Sequence, residues 1–253
     1  MPGMTVVQPD HRSDRSGSDP FLTTHWSLVV EAADRGSPAS AEALEVLCRN
    51  YWVPLYHYVR RRTPNIDEAH DLTQEFFARL LEKNYLAAAQ PERGRFRAFL
   101  LTAFKHFLSH EWEKARTHKR GGGRPKFSLD FSGSDSHHAV EPSAGVTPEE
   151  AYDREWAMTL LAGVLESLQE EFARDGKRAE FDELKGFLTG GDPGRTYADA
   201  ARELGSSEAA VKMAVHRLKG RFRDRLCARI AQTVSGPDEI DAEIRDLFAA
   251  FST

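Results

Sequence analysis

Cysteine is scarce in this 253-residue sequence, which contains only Cys48 and Cys227. The two lie far apart on apolar segments and show no metal-ligand spacing, so they predict buried thiols in a reducing compartment. The first 20 residues are polar and contain no apolar stretch, which argues against a signal peptide. No apolar run approaches the length that crosses a bilayer. We therefore expect a cytoplasmic protein with no membrane segment.

The sequence also has little strand-like alternation, and its Gly121–Gly123 run precedes no strand-to-helix turn that would hold a phosphate. Apolar residues instead recur at helical spacing, and the hydrophobic content of 40% is enough for a core. The predicted fold class is therefore all-α. No set of residues forms a catalytic constellation, so we expect a protein that is not an enzyme and needs no cofactor.

The formal net charge is −5, but the charge is not evenly distributed. Between Pro91 and Lys126 there are ten Lys or Arg residues against three Asp or Glu, and between Lys212 and Arg229 there are seven against one. Two basic segments in an otherwise acidic chain predict two contacts with a polyanion.

Composition and periodicity divide the chain into five predicted parts. These are a disordered arm (1–20), a first helical domain (21–120), a Gly/Ser-rich flexible linker (121–148), a second helical domain (149–234) and a C-terminal helical extension (235–253).

Individual helices are predicted from apolar spacing and capping residues. The first domain should contain helices over Phe21–Asp34, Ala39–Arg62 with an interruption near Pro54, and Ile66–Lys83, followed by one that begins at Phe96. Asn65 and Glu68 resemble a capping box for the third of these. Its predicted buried face comprises Ile66, Ala69, Thr73, Phe76, Phe77 and Leu80.

The segment Thr196–Phe222 predicts two short helices joined by a tight turn. Thr196 with Asp199 is close to a capping box, and Gly205 allows the sharp turn. The expected inward faces are Ala198, Ala201 and Leu204 on the first helix, and Val211, Ala214, Val215, Leu218 and Phe222 on the second.

The outward face of the second helix is basic, as a helix that enters a DNA groove requires. It begins at a serine cap, Ser206 or Ser207, and carries Lys212, Met213, His216, Arg217, Lys219 and Arg221. The combination of small residues, turn and basic helix predicts a DNA-binding helix-turn-helix.

Three motifs resemble regions 2 and 4 of bacterial RNA polymerase sigma factors, in particular the extracytoplasmic-function type of the sigma-70 family. They are DLTQEFFARLL (71–81), FRAFLLTAFKH (96–106) and VKMAVHR (211–217). Two shorter segments, KGFLT (185–189) and IAQTV (230–234), resemble a subgroup common in planctomycete-like genomes. The resemblance extends from about Phe21 to Val234.

The resemblance implies a non-enzymatic initiation factor whose partners are core RNA polymerase and promoter DNA. An acidic strip on the DLTQE helix would meet arginines of the polymerase: Asp71, Gln74 and Glu75. The melted −10 segment would meet the basic end of the next helix: Lys105, His106, Lys114, Arg116, Lys119 and Arg120. The −35 element would meet the helix-turn-helix: Ser207, Lys212, Met213, His216, Arg217 and Arg221.

Three positions depart from the family pattern at the proposed −10 surface. Phe99 stands where the family usually has tryptophan, His106 where it has asparagine and His110 where it has aspartate. Aromatic and imidazole rings can still stack on bases. The −10 sequence preference therefore stays open.

Two other functions fit parts of the sequence. A stand-alone helix-turn-helix regulator would bind duplex DNA without polymerase. A helical metal-dependent hydrolase would use His106 and His110, which lie at i, i+4 but have no evident third ligand. An anti-sigma factor or other regulator is a further possible partner, and the C-terminal extension would dock on it or on the helix-turn-helix.

Overall fold

The computed structural model describes residues 26–83, 85–90, 94–117, 145–189, 195–231, 234 and 239–251. Every regular element within these ranges is helical, which confirms the all-α prediction. The predicted N-terminal arm and nearly all of the predicted linker lie outside the described residues, as do Lys119 and Arg120.

The helices fall on either side of residues 118–144. Those before are α1 (Trp26–Ala33), α2 (Ser40–Arg60), α3 (Ile66–Glu82), a short 3-10 helix (Tyr85–Ala88) and α4 (Phe96–Thr117). Those after are α5 (Pro148–Arg174), α6 (Arg178–Leu184), α7 (Gly186–Thr189), α8 (Tyr197–Glu203), α9 (Glu208–Ala231) and α10 (Ile240–Ala249).

Side-chain caps define several helix starts. At α5, Thr147 and Glu150 form a complete capping box, in which each side chain accepts a hydrogen bond from the other residue's backbone N–H. At α3, Asn65 accepts from the Glu68 N–H at 3.2 Å. The Glu68 carboxylate instead accepts from the Thr63 hydroxyl at 2.7 Å, so only half of the predicted box is formed.

Two local predictions are wrong. Helix α2 runs without a break from Ser40 through Pro54 to Arg60, because the tertiary packing of its buried face outweighs the hydrogen bond that Pro54 cannot donate. Ile66, predicted to be buried, is 54% exposed. It is the first residue of α3, where the helix has not yet reached the core.

The core of the first half is aromatic. Phe76 of α3 meets Phe104 of α4 edge-on, with ring centroids 4.8 Å apart, and Phe77 stacks on Trp52 of α2 at 5.6 Å. Such contacts add to the free energy gained by burying these large side chains. They fix the orientation of α3 and α4, which carry two of the predicted sites.

The core continues across the two halves through α2 and α5. Helix α5 contributes a continuous apolar face whose members are all buried: Trp156, Leu160, Val164, Leu168 and Phe172. Tyr152, on the same helix, is buried and donates a hydrogen bond to the backbone carbonyl of Arg97 at 2.9 Å. The two helical halves therefore share one hydrophobic core.

Candidate nucleic-acid interface

The turn between α8 and α9 has the predicted geometry. Gly205 adopts a φ of 59°, the left-handed region that glycine enters at little cost. The N–H of Ser206 donates to the Ala201 carbonyl at 2.9 Å, which ends α8. Ser207 then caps α9, because its hydroxyl accepts from the Ala210 N–H at 3.2 Å. Ser207 is thus the N-cap residue of α9.

Capping and packing hold α8 against α9. Thr196 and Asp199 form the complete capping box that their spacing predicted. The apolar face of α8 differs from the prediction at one residue, since Ala201 is buried as predicted, whereas Ala198 is exposed and Ala200 is buried in its place. An alanine has no side chain beyond Cβ and fits either environment, so its position in the sequence carried little signal. Val211, Val215 and Leu218 of α9 are buried as predicted.

The outward side of α9 presents an exposed arc of basic and polarisable side chains. Its exposed members are Lys212, Met213, His216, Arg217, Lys219 and Arg223. At 3.6 residues per turn they line one side of the helix over about three turns. Lys212 forms an i,i+4 ion pair with Glu208 at 2.7 Å, which raises the Lys212 pKa. We call this set the α9 arc.

Arg221 lies away from the α9 arc. Its guanidinium contacts the Glu171 carboxylate and stacks 5.0 Å from the centre of the Phe172 ring, both on α5. Arg225 also reaches α5, where it meets Ser167 and Glu171. The Arg221 side chain therefore packs in the contact between α9 and α5.

The basic end of α4 is only partly available. His106 and Arg116 are exposed, whereas Lys114 lies 3.5 Å from Glu111. Lys105 is engaged by α5, because its Nζ lies 2.7 Å from Glu149 Oε1 and 5.7 Å from the centre of the Tyr58 ring.

The Glu149 carboxylate contacts a lysine of α4, a tyrosine hydroxyl of α2 and an arginine in the turn after α2. Arg62 lies 3.8 Å from the same carboxylate, and the Tyr58 hydroxyl donates to it at 3.4 Å. The hydrogen bond from Lys105 lowers the pKa of Glu149, and the charges of Lys105 and Arg62 add to the effect. Arg62, whose guanidinium also lies over the Tyr58 ring at 5.0 Å, was not among the predicted site residues.

Glu111 of α4 is paired with an arginine of a neighbouring helix. It lies 2.7 Å from Arg79 of α3. Although burial opposes the shift, the hydrogen bond and charge of Arg79 lower the pKa of Glu111. A carboxylate placed between two helices can link them electrostatically, and spacing along one helix gives no sign of such a partner.

The predicted acidic strip lies on α3, where Asp71 and Glu75 are exposed. Glu75 also has an internal partner, since its carboxylate accepts from Arg79 Nε at 3.0 Å. The strip therefore combines an exposed carboxylate at Asp71 with a carboxylate already held by an arginine.

The metal hypothesis gains no support from geometry. His106 and His110 are both exposed, and His110 lies 3.5 Å from Glu111. Among the described residues, no group of three or more His, Cys, Asp or Glu side chains could hold a metal ion. Burial raises the pKa of the Cys48 thiol to about 12, so this cysteine is unreactive near neutral pH.

None of the described helices has the length and apolar character needed to span a membrane.

Residues 47–117 match a family model described as Sigma-70 region 2. The match covers the larger part of α2 and all of α3 and α4, which carry the acidic strip and the basic α4 end. No curated protein and no solved structure matches the chain significantly. The match shows that helices α2 to α4 are similar to region 2 of the sigma-70 family.

Proposed function

We propose that this protein is a sigma factor of the extracytoplasmic-function type, within the planctomycete-like subgroup, that joins core RNA polymerase and directs it to a promoter. One observation carries the proposal: the same chain contains a region 2 match over α2 to α4 and a capped helix-turn-helix with an exposed basic arc on α9. Catalysis is left to the polymerase.

The three surfaces take different parts in this proposal. The α3 strip, centred on exposed Asp71, docks on arginines of the polymerase. Aromatic and basic side chains of α4 hold the melted −10 strand. The α9 arc enters the major groove at the −35 element, with Arg217 and Lys212 on base edges or phosphates.

The docking assignment is tested with purified protein and its cognate core enzyme. We expect wild-type protein to co-elute with the core enzyme in size-exclusion chromatography. Asp71→Lys should abolish co-elution, because a like charge would face the polymerase arginines. Circular dichroism should show an unchanged fold, since exposed substitutions usually change stability by less than about 0.5 kcal/mol.

The matched control is Glu170→Lys, which makes the same charge change at an exposed position of α5. It should co-elute like the wild type. Equal binding of the Asp71→Lys protein and the control would contradict the α3 docking surface. A wild-type protein that binds duplex DNA tightly but never joins core enzyme would instead favour the stand-alone regulator.

A further inference from the structure

The C-terminal helix α10 carries a fully buried carboxylate. The Glu243 side chain has no exposed surface (0%) and lies against the start of α4. Its Oε1 accepts a hydrogen bond from Arg97 Nε at 2.7 Å, and its Oε2 accepts one from Arg97 Nη2 at 3.1 Å. The same Oε2 lies 2.5 Å from Arg95 Nη1. This fork joins residues 146 positions apart in the sequence.

A second acid of α10 reinforces the contact. Asp246 Oδ2 lies 2.6 Å from Arg95 Nη1 and 3.8 Å from Arg97 Nη2. Leu247, next to it, is buried and anchors the helix in the core. The end of the chain is therefore held on α4 by two carboxylates facing two guanidinium groups.

Arg97 connects α10 to α5 as well. Its guanidinium contacts the Asp153 carboxylate and lies 4.6 Å from the centre of the Trp156 ring. A buried carboxylate is costly unless it is paired and hydrogen-bonded. The burial of Glu243 is therefore stable only while α4, α5 and α10 remain together.

Farther along the same interface, an acid of α5 pairs with basic side chains of α4 and of the turn after α2. Lys105 lies about two turns beyond Arg97 on α4, and it is paired with Glu149 in the first turn of α5 at 2.7 Å. Arg62 lies 3.8 Å from the same carboxylate. A DNA phosphate could take these cations only by displacing Glu149.

We propose that α10 is an intramolecular latch that holds a closed state, in which acids of α5 and α10 occupy basic side chains of α4 and of the turn after α2 that would otherwise bind DNA. The inference rests on the proposed function, because it takes α4 as the surface for the melted strand. Glu149 and DNA compete for Lys105. The apparent DNA affinity is therefore proportional to the fraction of molecules that are open.

Zero-length crosslinking measures the closed state without DNA. A carbodiimide joins an amine and a carboxylate that are in contact, so wild-type protein should form an amide between Lys105 and Glu149, identified by mass spectrometry. Glu243→Gln weakens the charge pairing at Arg95 and Arg97. It should lower this crosslink severalfold and raise affinity for a short fluorescein-labelled single-stranded oligonucleotide by roughly threefold or more.

Asp241→Asn is the matched control, because it removes the same charge from an exposed position of the same helix. It should leave the crosslink and the oligonucleotide affinity at wild-type values. If circular dichroism shows that Glu243→Gln is unfolded, Asp246→Asn replaces it, since this side chain is 54% exposed and should give the same two effects at smaller size.

The outcomes separate the latch from the proposed function. Absence of the crosslink in wild-type protein, or its persistence at full yield in a folded Glu243→Gln variant, overturns the latch. Loss of the crosslink with unchanged oligonucleotide affinity supports the latch as a conformational device and overturns the assignment of α4 to single-stranded DNA.

Discussion

At the scale of single residues, charged side chains in this protein have partners on other helices more often than their spacing suggests. Glu111 and Glu149 both bridge helices, and Arg221 packs on α5. The sequence analysis placed Arg221 on the DNA-facing surface and did not single out Glu111 or Glu149. A partner far away in sequence leaves no trace in local spacing, so only the structure identifies it.

Glu111 should make stability depend on pH. Its pKa is lowered in the folded state, so its contribution is present above the ordinary glutamate value of 4.5 and is lost as the pH falls through the lower folded value. Glu111→Gln should therefore be less stable than wild type at pH 7, and the difference should shrink below about pH 4.5. Urea unfolding between pH 7 and pH 3 measures this.

Glu113→Gln is the control for that experiment, since Glu113 is exposed on the same helix. Its free energy of unfolding should equal that of the wild type across the pH range. A difference in the free energy of unfolding between wild type and Glu111→Gln that stays constant at all pH values would contradict the role given to the Arg79–Glu111 pair.

Arg217 of the α9 arc should contribute directly to duplex recognition. If it reads a base edge, Arg217→Ala weakens binding to a duplex selected from a random pool by roughly 1–3 kcal/mol and relaxes specificity at one position. If it contacts only phosphate, affinity falls evenly across sequences and the salt slope drops by about one. Fluorescence anisotropy at several salt concentrations separates these outcomes.

Arg174→Ala removes an exposed arginine from the end of α5 and serves as the comparison. It should bind DNA like the wild type. Identical affinity and salt dependence for both variants would mean that the outward face of α9 does not enter the groove.

At the scale of elements, replacing each of two glycines of the helix-turn-helix with alanine should change the stability of the protein in opposite directions. Gly205 has a φ of 59°, and a Cβ added there would meet no atom within 4 Å, so Gly205→Ala costs roughly 1–2 kcal/mol through backbone strain alone. Gly220 lies inside α9, where an added Cβ would also meet no atom within 4 Å. Gly220→Ala should stabilise the protein by roughly 0.5–1 kcal/mol. Thermal and urea unfolding measure both the loss and the gain of stability.

Gly205→Asn should recover part of the loss, because asparagine tolerates the left-handed region better than alanine. An equal effect of alanine at positions 205 and 220 would show that the turn does not require the left-handed conformation.

Helix positions were the part of the fold most open to prediction, since they follow from apolar spacing and caps. The capping box at Thr196 is local and was predicted correctly. The errors lie where tertiary context decides. Pro54 is tolerated inside α2, and Ala198 is exposed while Ala200 is buried.

At the scale of the whole molecule, α2 and α5 pack into one core, with Arg97 at the junction of α4, α5 and α10. The sequence predicted two helical units and their apolar faces. Periodicity offered no means of deciding which faces meet, because an amphipathic helix fits many partners. The position of α10 depends on the pairing of Glu243 with two arginines, which periodicity cannot reveal.

The proposed role in directing RNA polymerase to promoters is tested most directly by transcription on genomic DNA. Cognate core enzyme is incubated with fragmented genomic DNA, with and without the protein, and the 5′ ends of the transcripts are sequenced. We expect new start sites with shared −10 and −35 motifs upstream, and their loss with Asp71→Lys. Start sites no different from those of core enzyme alone, under conditions where the protein binds duplex DNA tightly, would contradict the account.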